Sequence, residues 1–297
     1  VTEIIPFGAE ARLDWLGLTE ALAAGHRLPR AQVADSFLKR ADDTLLTRSA
    51  LIDGLGMAVK AATIFPHNQG PTVNGGVMLL DDTTGVMEAI VDFHLVTKWK
   101  TAADSLLAAR HLAPDNPETI LIVGTGNVAA SLREAYGAGF PGARFLVWNR
   151  SGAGDFAARH PDTTAVTDLA QAVAQADIVT SATTAKTPIL RGDWLRPGQH
   201  VDLIGAFRAD MREADDRALT RARIFVDSRD TTMHHIGEIK IPLEAGVIAP
   251  GDILGDFYDL AGGGFARQPE DITLFKNGGG AHLDLMTARY ILECWRA

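Results

Sequence analysis

Residues 119–136 constrain the fold more than any other stretch of the chain. Thr119-Ile120-Leu121-Ile122-Val123 is a five-residue apolar run, Gly124-Thr125-Gly126-Asn127-Val128-Ala129 follows directly, and a helical pattern continues through Tyr136. Strand, glycine turn and helix in immediate succession open a βαβ unit. In that setting the first glycine permits a tight turn, Gly126 lets a ligand approach the backbone, and Ala129 lets the helix lie close to the strand. The first N–H groups of such a helix face an anion. The stretch predicts a parallel sheet and a dinucleotide site formed by Gly124, Thr125, Gly126, Asn127 and Val128. A purely structural glycine turn is the competing reading.

The rest of the chain divides around this unit. Downstream, strands and helices alternate as in a parallel sheet. Strands are expected at Arg144–Trp148, Thr164–Val166, Ile178–Ala182, Val201–Ile204 and Arg223–Asp227, with helices near 153–160 and at Leu169–Ala176. Upstream, two short helices are expected within 13–45, starting at Leu13 and at Arg30. Apolar strands follow at Leu51-Ile52, Gly56–Phe65 and Gly76–Asp81; the turn Asp81–Gly85 returns the chain through Val86–Asp92. A helix from Thr97 to Leu112 ends before Pro114, and Asp115-Asn116-Pro117-Glu118 reads as a linker. The tail, Ala281–Trp295, reads as one helix. The expected architecture is α/β: a Rossmann domain over 115–280, and an N-terminal α+β domain of residues 1–114 joined by the tail, 281–297.

Composition sets the class of partner. A formal net charge of −9 without a basic run disfavours nucleic-acid phosphate. No apolar stretch approaches the roughly 20 residues of a membrane helix. The N-terminal residues lack the pattern of a signal peptide. Cys294 is the single cysteine, so no intrachain disulfide forms. We therefore expect a cytoplasmic protein acting on a small molecule, with no nucleic-acid or membrane partner.

The end of the second parallel strand chooses the dinucleotide. An acidic residue there binds the ribose 2′-hydroxyl of NAD, whereas an arginine accommodates the 2′-phosphate of NADP. This chain has Trp148-Asn149-Arg150-Ser151. Arg150 offers a planar cation, and Asn149 and Ser151 offer neutral hydrogen bonds. NADP(H) is favoured and NAD(H) is possible; a solvated Arg150 with either cofactor accepted is the alternative. Thr183 and Thr184, following the strand that ends near Ala182, fall where a ribose or nicotinamide is bound, or form an ordinary turn.

Lys60, in Gly56-Met57-Ala58-Val59-Lys60, is a charge within an apolar strand. Such a lysine pairs with a substrate carboxylate or donates a proton, unless it merely snorkels to the surface. His234 and His235 are adjacent and share no face, so no metal site is expected.

These segments, in order, resemble the ornithine cyclodeaminase/mu-crystallin family over nearly the whole chain. The resemblance is carried by Gly85–Asp92 and Thr97–Ala103, the glycine loop, Gly205–Asp215, and Phe275-Lys276-Asn277-Gly278-Gly279-Gly280-Ala281. It implies a homodimer whose N-terminal domain forms both the interface and the substrate floor, with the last helix returning to that domain. It places Lys60 as the substrate lysine, Arg48 as a carboxylate-binding arginine and the loop of His67 near the substrate. Lys100 stands where the family often has an arginine, keeping the charge but losing bidentate geometry, and Val128 replaces a common glutamine.

Phe207 stands about where cyclodeaminases place a catalytic aspartate. A phenyl ring can neither activate water nor stabilise an ammonium, which disfavours cyclodeamination. The surrounding Phe207-Arg208-Ala209-Asp210-Met211-Arg212-Glu213 is more similar to the branch of ketimine and Δ1-pyrroline-2-carboxylate reductases. Phe207 then belongs to the cofactor pocket, while Arg208 and Asp210 either line that pocket or pair with each other. The expected activity is NAD(P)H-dependent reduction of a small α-imino acid, with Δ1-pyrroline-2-carboxylate to L-proline leading. An alanine dehydrogenase, an iminodicarboxylate reductase and a non-catalytic NADP(H)-dependent binder of a small ligand are the alternatives.

Overall fold

A computed structural model describes residues 1–297. The chain folds as two compact units, residues 1–103 with 280–297, and residues 104–279. The fold class is the expected one: a Rossmann-type α/β unit together with an α+β unit.

The first unit is built on a six-stranded sheet. Its strands are β1 (Glu3–Ile5), β2 (Gln32–Arg40), β3 (Asp43–Ile52), β4 (Gly56–Ile64), β5 (Val73–Leu80) and β6 (Met87–Asp92), in the order β1-β6-β5-β4-β3-β2. All neighbours are antiparallel except β1 with β6. Helix α1 (Trp15–Gly25) is capped by Asp14, whose carboxylate accepts from the Gly17 amide at 2.5 Å. The helix α2 (Phe93–Leu112) begins earlier than its apolar pattern indicated, and the boundary between the units falls inside it.

One expectation is overturned here. The segment from Arg30 onward is not a helix; it is the edge strand β2, pairing with β3 from Gln32↔Leu51 to Arg40↔Asp43. All nine of its residues are exposed, so no alternation of buried and polar positions marks it as a strand. Its ladder to β3 decides its conformation.

The second unit carries an all-parallel, eight-stranded sheet. Its strands are β7 (Thr119–Val123), β8 (Arg144–Trp148), β9 (Thr163–Ala165), β10 (Ile178–Ser181), β11 (His200–Leu203), β12 (Arg223–Val226), β13 (Ile253–Gly255) and β14 (Thr273–Lys276). The order β13-β12-β14-β11-β10-β7-β8-β9 means that the chain leaves β7 on one side and returns on the other at β10. Ligands of open parallel sheets bind outside the carboxyl ends at this reversal. The helices are α3 (Asn127–Gly139), α4 (Gly154–Arg159), α5 (Leu169–Gln175), α6 (Asp216–Arg221), α7 (Arg229–Thr232) and α8 (Gly237–Glu244). Strands β13 and β14 and helices α6 to α8 were not anticipated. Each is short, and β14 ends on a buried lysine, which breaks its apolar run.

The last helix, α9 (Ala281–Arg296), packs in the first unit against α1 and strands β3, β4 and β5. Leu283, Leu285, Ala288 and Ile291 are fully buried along it. Such side chains stabilise by about 1.5–3 kcal/mol each, less for alanine, so sheet and helix are held as one core.

Candidate functional site

In the second unit, Gly124 has φ +117°, and a Cβ there would stand 2.6 Å from the Ala182 carbonyl oxygen. Only glycine fits that turn. Ala129 is fully buried where α3 meets the sheet. Gly126 is the N-cap of α3 without a side-chain cap, and no atom lies within 4 Å of where its Cβ would stand. The backbone at Gly126, Asn127 and Val128 is therefore exposed and offers unsatisfied amides to an anion. A dinucleotide pyrophosphate fits this cradle.

A cleft of about 400 Å³ in the same unit brings together Trp148, Asn149, Arg150, Thr183, Lys186 and Thr187. Asn149 donates to Ser151 Oγ at 2.9 Å, which shapes the turn after β8. Arg150 is exposed at the mouth of the cleft. Thr183 donates through its amide (2.8 Å) and its hydroxyl (2.7 Å) to the buried carboxylate of Glu213. Phe207 is 65% exposed, in the loop after β11. Arg208 and Asp210 pair with each other through two hydrogen bonds of 2.8 and 2.9 Å, and Lys186 joins them at 3.0 Å from Asp210.

In the first unit, the buried residues of β4 alternate as Gly56, Ala58, Lys60 and Ala62. Lys60 thus occupies a core position. Its Nζ donates to Asp284 Oδ1 at 3.0 Å and to Thr97 Oγ1 at 2.9 Å, and lies 4.6 Å from the centroid of the Phe93 ring. An ammonium has three donors; one remains for a ligand. Lys100 Nζ stands 3.5 Å from the same carboxylate oxygen. Arg48 faces Lys60 across the β3–β4 ladder, and its Nε and Nη2 both donate to Asp35 Oδ2, at 2.9 and 2.7 Å.

Burial lowers the Lys60 ammonium to about 8, against the opposing pull of Asp284 and with a further push from Lys100. Burial raises the Asp284 carboxyl, but Lys100 and Lys60 outweigh it and hold the group below its ordinary range. Asp284 is therefore a carboxylate at neutral pH, and its Oδ2 has no hydrogen-bond partner within the chain. Lys60 is poised to give up a proton near neutrality.

The structure thus gathers Lys60, Lys100 and Arg48, and places His67 elsewhere. His67 is exposed in the loop after β4, and its Nε2 pairs with Asp42 at 3.0 Å. Sequence reasoning missed Asp284, Thr97 and Phe93. Asp284 lies among apolar residues in the first turns of α9; that carboxylate inside an apolar helix was the available signal. Glu213 lies within the Gly205–Asp215 segment, where nothing local marks it as buried.

A parallel sheet with its glycine turn at the strand reversal, together with an open helix N-terminus, defines a Rossmann-type dinucleotide-binding protein. Residues 45–297 match the model of the ornithine cyclodeaminase/mu-crystallin family, and the chain belongs to that family. It is 52% identical to the Delta(1)-pyrroline-2-carboxylate reductase of Paracoccus denitrificans, covering 95% of this chain and 93% of that protein. It is 31% identical to the ketimine reductase mu-crystallin of Rattus norvegicus, over 77% of this chain and 72% of the relative. Among solved structures, an archaeal alanine dehydrogenase dimer with bound NAD superposes with a TM-score of 0.89 at 25% identity, covering 99% of this chain and 95% of that one. No helix is long and apolar enough to cross a membrane.

Proposed function

We propose that the chain is an NAD(P)H-dependent reductase of a small cyclic α-imino acid, converting Δ1-pyrroline-2-carboxylate to L-proline. The observation that carries this reading is the buried Lys60, held at Asp284 with one donor left for a ligand. The 52% identity to a reductase of that name supports the choice of substrate. The second unit serves the cofactor, and the first serves substrate binding and dimerisation.

When bound, the reduced nicotinamide supplies a hydride to the C=N carbon. Everything else falls to the chain. Arg48 and Lys100 draw in the substrate carboxylate by charge. Lys60 gives a proton to the imine nitrogen, making the carbon a better hydride acceptor, and is reprotonated from solvent. Asp284 keeps Lys60 charged for that transfer. In the cleft, Arg150 with Asn149 and Ser151 favours the 2′-phosphate of NADP(H), with NAD(H) accepted less well.

The exposed strand β2 leaves one sheet edge unpaired, and Val33, Phe37 and Leu38 expose apolar surface on it. An open apolar edge demands a cover, and a second copy of the chain supplies it in a homodimer. The reducing cytoplasm is the proposed setting, in keeping with the lone thiol Cys294.

Lys60, Lys100 and Arg48 outnumber Asp284 and Asp35 by one charge, which matches the single carboxylate of a cyclic imino acid better than the two of an iminodicarboxylate. The test is oxidation of NADPH and of NADH, followed by absorbance, against Δ1-pyrroline-2-carboxylate, pyruvate with ammonia, and oxaloacetate with ammonia. Turnover of the first substrate with preference for NADPH is expected. Oxidation with none of the three overturns the assignment.

A further inference from the structure

The floor of the cofactor cleft rests on one buried carboxylate. Glu213 is fully buried in the loop before α6. Its Oε1 accepts from Ser181 Oγ at 2.6 Å, from the Thr183 amide at 2.8 Å and from Thr183 Oγ1 at 2.7 Å. Its Oε2 accepts from the Gly205 amide at 2.6 Å. One side chain therefore ties the segment leaving β10 to the segment leaving β11, both at the carboxyl edge of the sheet. The tie reaches the glycine turn, because Gly124 closes on the carbonyl of Ala182, next to Thr183. Gly205 is glycine for the same reason: a Cβ there would run into the Thr183 backbone and stand 2.7 Å from Glu213 Oε1.

The carboxylate is itself held. Glu238, on α8, accepts from the Glu213 amide at 2.6 Å and from the Ala214 amide at 3.0 Å. The buried Lys276 ammonium donates to the Leu203 and Asn277 carbonyls at 2.8 and 2.7 Å. Its charge acts on both glutamates, countering the burial that raises each of them. A network this deep is expensive to leave half satisfied, so its presence under a binding edge calls for a use.

We infer that Glu213 is a positioning residue for the cofactor: by accepting four hydrogen bonds it fixes Thr183 and the Gly205 turn in the conformation that receives the nicotinamide ribose. Glu213 acts through these two loops. The inference rests on the dinucleotide reading of the cleft.

The substitution Glu213→Gln tests it. The amide keeps the size but turns one acceptor into a donor, which must then oppose the N–H of Thr183 or of Gly205. Wild-type and variant protein are titrated with NADPH by fluorescence, and KM is measured separately for cofactor and imino acid. A roughly tenfold rise in the Kd and KM for NADPH is expected, with KM for the imino acid changed less than twofold. A residue that served only folding would lower Tm and leave that split unmoved. A folded E213Q variant with wild-type NADPH affinity overturns the inference. Failure of the wild-type protein to bind either dinucleotide overturns the underlying reading instead. If E213Q does not fold, Glu213→Asp keeps the charge but withdraws it by one methylene, so that it reaches only one of the two loops. At least threefold weaker NADPH binding is then expected, and unchanged binding overturns the inference.

Discussion

Lys60 and Asp284 are 224 residues apart in sequence and 3.0 Å apart in the folded chain. Each is nearly inaccessible, and each makes the other's charge tolerable in the core. Removing one partner of such a pair leaves a buried charge uncompensated, at a cost of about 3–5 kcal/mol. Asp284→Asn should lower Tm accordingly, by chemical or thermal denaturation. Because Asp284 raises the Lys60 ammonium, the variant's activity should also fall off at a lower pH than that of the wild type. An unchanged alkaline limb would show that Lys60 is not the titrating donor.

Lys60→Met should abolish turnover, by at least a hundredfold, with NADPH affinity within twofold of wild type. In the wild type, reduction requires the protonated amine, so kcat/KM for the imino acid should decline above a pH of about 8. Oxidation of the amino acid requires the neutral amine and should rise over the same range. The stability linkage has the same origin. The folded chain releases the Lys60 proton at about 8 and the unfolded chain near the ordinary 10.5, so the contribution of Lys60 to stability increases with pH across that window. The wild-type-minus-K60M difference in unfolding free energy should show this slope.

Arg150→Ala should separate the two cofactors. A hydrogen bond to a charged group is worth about 1.5–3 kcal/mol, which is roughly a tenfold to hundredfold loss in affinity. NADPH should lose this much and NADH little, as read from KM for each. Equal losses for both would exclude a 2′-phosphate contact.

Gly124→Ala places a methyl group 2.6 Å from the Ala182 carbonyl at a φ of +117°. Strain of about 1–3 kcal/mol should appear in Tm, and dinucleotide binding should be lost on fluorescence titration. Gly126→Ala meets no atom of the protein, so its Tm should be unaltered while cofactor affinity falls.

On the proposed dimer, the wild type should run as a dimer by light scattering and the paired substitution of Phe37→Asp and Leu38→Asp on β2 as a monomer. Both side chains are exposed in the single chain, at 56% and 65%, so the fold itself should survive, as read by circular dichroism.

The central strands of the second unit, β7, β10 and β11, were legible because they are wholly buried. A run such as Ile120-Leu121-Ile122-Val123 has one stable disposition, and the glycine positions carry their geometry locally. Strand β2 was not legible, since Gln32-Val33-Ala34-Asp35-Ser36-Phe37-Leu38-Lys39-Arg40 buries nothing within its own chain and suits a helix by propensity. Lys60 and Lys100 could be nominated from the sequence, but Asp284 could not be paired with them, because that pairing depends on how α9 meets the sheet. Glu213 was hidden for a related reason: its partners, Ser181, Thr183 and Gly205, belong to two other loops. Residues whose role is to join distant segments leave no periodic trace.

Helix α9 gives the order of assembly a direction. Residues 104–279 are contiguous and contain every strand of their own sheet, so they can fold as soon as they leave the ribosome. The first unit is made earlier and finished later. Its sheet holds Lys60, and α2 brings Lys100, but the carboxylate that pairs with both arrives only with α9, after all of residues 104–279. Until α9 is made, Lys60 and Lys100 have no Asp284 to pair with, and cleavage just before Ala281 should leave the same two lysines without it.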